Sequence, residues 1–174
     1  MKILFKRLGA YAVDWYLYAV VLIAFNTLYS TIKGIEPTYF MTLEQYDKQD
    51  MITVMLLMFI IHIFLFVILV KVFKGQTIGK KLFRLRIVSN DDKPVTMGQL
   101  FLREVVGLVL IEGYFSPISS YFRTFLAMQY GNIVLIHGVW YAIVVISLIL
   151  ARLTKNHRMI HDLISNTKVI ETIK

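Results

Sequence analysis

Arg7, Tyr11, Asp14 and Tyr18 recur at helical spacing, so one face of a helix carries a cation, two phenols and a carboxylate. Asp14 stands about 10 Å along the helix axis from Arg7, too far for a direct ion pair, while Arg7 can reach a bilayer surface by snorkelling. A carboxylate in an apolar run costs about 2.5–3.5 kcal/mol at a bilayer centre and less near its edge, which makes Asp14 a candidate ion or proton site. The equal alternative is a structural aspartate, satisfied by a hydroxyl or backbone group of a neighbouring helix. His62 adds an imidazole in a stripe with Met51, Met55 and Met58, at a depth within a helical turn or so of Asp14. Two such groups could relay protons or bind a cation, whereas a neutral histidine packed among methionines is the plainer reading. Glu112, beside Gly113 and Pro117, is the third candidate. An unwound segment with a carboxylate is how transporters often build midplane ion sites, and the same residues would suit a kink near the external surface.

Two further stretches resemble sites and fail on spacing. GQTIGKKLFRLRIV has glycines followed by lysines, but Gly75 and Gly79 enclose three residues and Lys80 is followed by Lys81, so the four-residue spacing and the Ser or Thr of a phosphate-binding P-loop are missing. The glycines instead allow a sharp exit from a span, and Lys80, Lys81, Arg84 and Arg86 are expected at the membrane surface against anionic headgroups, at about 1 kcal/mol per cation. His157 and His161 lie four apart, yet the Glu of H-E-x-x-H and a third ligand are missing, so neither a metal nor another cofactor is expected. Asp162 is better placed to pair with Arg7 or a lysine of the central loop, latching the tail to the membrane surface. With no cysteine and no nucleophile elbow, the chain does not read as an enzyme.

These residues need a scaffold, and composition names its solvent. Of 174 residues 57% are hydrophobic and 17% charged, too apolar for a water-soluble domain. The expected fold is an all-α membrane protein forming one domain over residues 1–174, with four transmembrane helices at about 8–30, 51–73, 105–121 and 133–151. The third is interrupted by Glu112, Gly113 and Pro117, and a re-entrant or kinked segment is its alternative. MKILFKR followed by an apolar run resembles a signal peptide, but Asp14 breaks the run and no small-x-small cleavage site follows, so the segment is expected to remain as the first span. Sixteen of the 19 Lys and Arg residues lie at the termini and in the loop from Lys71 to Arg103; only Lys33, Lys48 and Arg123 lie elsewhere. That bias places both termini and the central loop in the cytoplasm. It points the basic surplus at lipid rather than nucleic acid, and requires any symmetric assembly to be parallel. Phe83, Leu85 and Ile87 alternate with Arg84 and Arg86, and TKVIETI is also β-prone, so residues near 83–88 and 167–170 are expected to pair in a small ribbon.

RLGAYAVDWYL, GQTIGKKLFRLRIV, FLRE and HDLISNTKVI, in that order, resemble the RDD family of bacterial multi-pass membrane proteins, named for an arginine and two aspartates. The resemblance places the arginine at Arg7 and the aspartates at Asp14 and Asp162. Where family members usually carry glycine, this chain has Asn166, which also tolerates the left-handed conformation, so the turn should persist. The resemblance implies a bacterial inner-membrane protein for which transport, including cation/proton exchange, has been proposed. Asp14 would then be the intramembrane carboxylate, His62 and Glu112 co-ligands, and Arg7 with Asp162 a latch, in a parallel homo-oligomer or larger complex. The rival is an assembly factor or accessory subunit whose polar residues only lock helices together.

Overall fold

The computed structural model describes residues 2–36, 43 and 45–172. Residues 37–42 and 44, between the first two expected spans, lie outside the described residues. Helix α1 (Lys2–Lys33) is followed by α2 (Lys48–Val72), which Asp47 caps by accepting from the Asp50 amide and which contains a π-helical turn at Phe64–Ile68. The chain then forms α3 (Ile78–Leu82), β1 (Leu85–Ser89), α4 (Met97–Glu112), α5 (Pro117–Tyr130), α6 (Ile133–Leu153), α7 (Ile160–Ile164) and β2 (Thr167–Glu171).

Helices α1, α2 and α6 are long and apolar enough to cross a membrane, and the pair α4–α5 passes the same test only when taken together across a 47° bend. The third segment, expected at 105–121 with a re-entrant or kinked form as its alternative, is bent, and its two helices begin eight residues earlier and end nine residues later than those bounds. The reason is local. The α4 backbone is π-helical from Leu102 to Glu112, Pro117 cannot continue an incoming helix but fits the first turn of a new one, and the carbonyls freed between them find donors. Arg123 donates to the carbonyls of Gly113 and Tyr114 at 3.1 and 2.7 Å, and its guanidinium lies 4.9 Å over the Tyr114 ring. An arginine in an apolar helix is thus spent on the kink.

Contacts also fix the course of α4. The Glu104 carbonyl lies 3.4 Å from His62 Nε2, the His62 ring is 5.5 Å from that of Tyr18, and Trp15 donates to the Phe115 carbonyl at 2.7 Å. After α4, helix α5 carries the chain on, so that Ile118 and Tyr121 pack with Tyr18, Leu22, Leu43 and Tyr46.

The ribbon forms at the end of the bundle that holds both the first turns of α1 and the tail. β1 and β2 pair antiparallel, with Leu85 opposite Glu171 and Ser89 opposite Thr167. The strand starts two residues later than its alternation suggested, because Arg84 takes a left-handed backbone at φ 55°. Asn166, at φ 49°, makes the left-handed turn expected of it. Leu85, Ile87 and Val169 face a core with Ala10, Val67, Val70 and Leu100, which gives a two-stranded ribbon the support it lacks alone. Between β1 and α1 lies α3, whose approach is set by Gly79. A Cβ there would collide with the Ala10 carbonyl oxygen and stand 2.9 Å from Asp14 Oδ1. Helix α6 is peripheral: 11% of its most apolar 18-residue window is buried within the chain, against 28% for α1.

Candidate functional site

Asp162, fully buried, organises the ribbon end. Its Oδ2 accepts from Arg7 Nη2 at 2.6 Å and from the Met159 amide at 2.9 Å, and its Oδ1 accepts from Arg103 Nη1. Arg7 also donates to the His157 carbonyl at 2.6 Å, and Arg103 to Thr167 Oγ1 at 3.0 Å, while Arg103 Nε faces Glu104 Oε1 at 3.2 Å without hydrogen-bond alignment. Burial pushes the Asp162 carboxyl up, but the charges of Arg103, His161 and Arg7 outweigh it and hold the group well below the usual carboxylate range. Three elements distant in sequence, α1, α4 and α7, therefore meet on one carboxylate.

Beside it is a second pair. Glu112 Oε2 accepts from the His161 amide at 2.9 Å and from His161 Nδ1 at 2.7 Å, and Glu112 Oε1 from Ser147 Oγ at 2.5 Å. A carboxylate only accepts, so the proton sits on Nδ1. Ser147 in turn accepts from the Ile160 amide at 3.1 Å, which ties α6 to the start of α7. The close packing of α7 on α4 depends on Gly107, where a Cβ would stand 2.6 Å from His161 Cβ.

Asp14 occupies a third position. Thr77 Oγ1 donates to its Oδ2 at 2.5 Å and the Gly79 amide to its Oδ1 at 2.8 Å, with Lys80 Nζ 3.8 Å away. Lys80 thus turns inward, its side chain 17% exposed, instead of lying outward with the headgroup lysines as its sequence context suggested. Burial lowers the pKa of its ammonium, and the Asp14 charge opposes that shift. Arg84 is exposed and Arg86 half-buried on the ribbon.

The three ion-site candidates do not converge on a common ligand position. Asp14 is engaged with α3, Glu112 with the tail, and His62 with the Glu104 carbonyl, Tyr18 and Phe66. Glu112 reaches α6 through Ser147, six residues before the end of that helix, and meets the tail there through His161. Arg7 and Asp162 are brought together, with Arg103 as a partner absent from the sequence reading. Thr77, Arg103, Glu104 and Ser147 are the site residues that reading did not assign, and His161, weighed there only as half of a metal site, is the partner of Glu112; Arg103 and Glu104 had a signal, two adjacent charges in the apolar run QLFLREVVGLVL.

Among curated proteins and among solved structures nothing matches the chain. The model of the RDD family matches residues 3–166, a span that takes in Arg7, Asp14, the α3 turn, the broken helix pair and Asp162, and the chain belongs to that family of membrane proteins.

Proposed function

We propose that this protein is a non-enzymatic, non-transporting membrane scaffold, an assembly factor or accessory subunit whose buried charges lock the spans to a surface ribbon. The observation that carries this reading is the pairing of Asp14: both carboxylate oxygens already accept hydrogen bonds, from Thr77 and Gly79. Glu112 is likewise taken by His161 and Ser147. In the proposed arrangement the α4–α5 pair is one broken crossing, so the chain spans four times in a bacterial inner membrane. The charge bias puts both termini and the ribbon in the cytoplasm, and copies or partners associate in parallel along the sparsely packed α6. In proteoliposomes the wild type should carry no cation-dependent proton flux between pH 6 and 9, and Asp14→Asn should remain inserted and folded. A flux abolished by Asp14→Asn and partly kept by Asp14→Glu would overturn the scaffold reading.

One observation favours the second reading, cation/proton exchange. Tyr18 Oη, Tyr121 Oη and His62 Nδ1 are buried without hydrogen-bond partners. Tyr18 and Tyr121 belong to the same core cluster, as does Tyr46, whose hydroxyl meets Ser30 Oγ at 2.7 Å and donates to Asn26 Oδ1 at 2.8 Å. Orphaned groups in an apolar core are costly, and a file of waters or a migrating proton would satisfy them. A proton flux lost in His62→Ala and Tyr18→Phe would select this reading; a wild type without flux would remove it.

A further inference from the structure

A cavity of about 330 Å³ opens where α2 ends and α3 begins. Its wall combines two chemistries. Lys74, Lys81 and Arg86 supply three cations, and Val72, Phe73 and Ile78 an apolar side that is more than half exposed at each residue. No carboxylate pairs with the three cations among the described residues. Several other cations do face an acid: Lys6 pairs with Glu171, Lys33 with Asp50, Lys168 with Asp92, and Arg7 and Arg103 with Asp162. Arg86 Nε is in addition buried without a partner. Charge left unneutralised on one wall and apolar surface left uncovered on the other fit one kind of molecule, an anionic amphiphile.

We infer that this cavity is a binding site for the phosphate headgroup of an anionic phospholipid, with Lys74, Lys81 and Arg86 on the phosphate and Val72, Phe73 and Ile78 against the upper acyl chain. The site is narrower than a general basic surface. Lys80 is excluded because it faces Asp14, and Arg84 because it does not line the cavity. It also differs from the scaffold reading, since a lipid can sit here whether or not the protein transports. The headgroup chemistry is shared with free phosphate, but the exposed apolar wall at the end of a membrane-crossing helix selects lipid.

The test uses the full chain in nanodiscs with spin-labelled phosphatidylglycerol and phosphatidylcholine as probes. The wild type should prefer the anionic probe, and the preference should fall about fivefold for each cation removed in Lys81→Ala, Lys74→Ala/Lys81→Ala and the triple variant with Arg86→Ala. A charge-matched control, Lys2→Ala/Lys48→Ala/Lys155→Ala, should keep the preference within twofold. If the Arg86 change prevents folding, the Lys74/Lys81 double variant decides, both side chains being exposed. Equal losses in the control and the cavity variants would overturn the site, leaving only diffuse attraction. Displacement of the lipid probe by millimolar inorganic phosphate would overturn its assignment to lipid.

Discussion

Lys80 and Lys81 are neighbours in sequence with opposite surroundings. Lys80 turns toward Asp14 inside the fold, and Lys81 lines an open basic cavity with Lys74 and Arg86. The contrast extends to the two regions they belong to. In the inner region each buried guanidinium of Arg7 and Arg103 faces Asp162, and the cluster joins α1, α4 and α7. In the outer region like charges gather without an acid. A buried cation without its anion is costly, whereas exposed ones such as Lys74 and Lys81 are solvated, so the first group is held by the fold and the two lysines of the second remain open to a ligand.

The largest effect should come from removing the anion that the inner region shares. Asp162→Ala leaves Arg7 and Arg103 buried without it, and breaking a buried pair in this way typically costs about 3–5 kcal/mol. Thermal unfolding in detergent should fall sharply, with the tail becoming accessible to protease. An Asp162→Ala protein as stable as wild type would dissolve the distinction between the regions.

The next effect is steric. Gly107→Ala places a methyl 2.6 Å from His161 Cβ and 2.8 Å from His161 Cα, so α7 must move off α4. Overpacking of this kind costs about 1–3 kcal/mol, and the Glu112–His161 pair should loosen with it. The same change at Gly98, where nothing lies within 4 Å of an added Cβ, should be nearly silent.

The pH dependence sharpens the comparison further. Asp162 has its carboxyl pKa depressed by Arg103, His161 and Arg7 against the upward push of burial. A group depressed on folding contributes stability that is fully present above its unfolded pKa, about 4, and is lost as pH falls through its folded pKa. The stability difference between wild type and Asp162→Asn should therefore stay level from pH 8 to 5 and narrow only below about pH 4. A difference that narrowed already between pH 7 and 5 would mean that Asp162 is not held ionised by its partners.

How much of this was legible depended on the range of the interaction. Apolar runs marked α1, α2 and α6 because hydrophobic length is a local property, and alternation in LFRLRIV marked a strand because pleating is local too. The broken pair was harder. Glu112, Gly113 and Pro117 signalled an interruption, but the position of the bend depends on Arg123 reaching back to two carbonyls. A local start signal was also available at Thr96 and Gln99, which form a reciprocal cap on α4. Asp14 could be recognised as a costly carboxylate, while its partners Thr77 and Gly79 lie more than sixty residues away and nothing in the local pattern names them. Lys80, expected at the surface beside Lys81, was misjudged for the same reason: its burial is decided by where α3 docks on α1.

The smallest effect should be at the outer region. Removing Lys74 and Lys81 together takes two like charges from a site where no acid balances them, and both side chains are exposed. Surface substitutions away from caps and buried pairs usually change stability by no more than about 0.5 kcal/mol, and relief of mutual repulsion works in the stabilising direction. Lys74→Ala/Lys81→Ala should accordingly unfold within about a degree or two of wild type in neutral detergent, while Lys80→Ala, which strips Asp14 of its nearby cation, should lose more. Equal losses at Lys80 and at the Lys74/Lys81 pair would mean that all three cations do the same structural work, and the inner and outer regions would then be one.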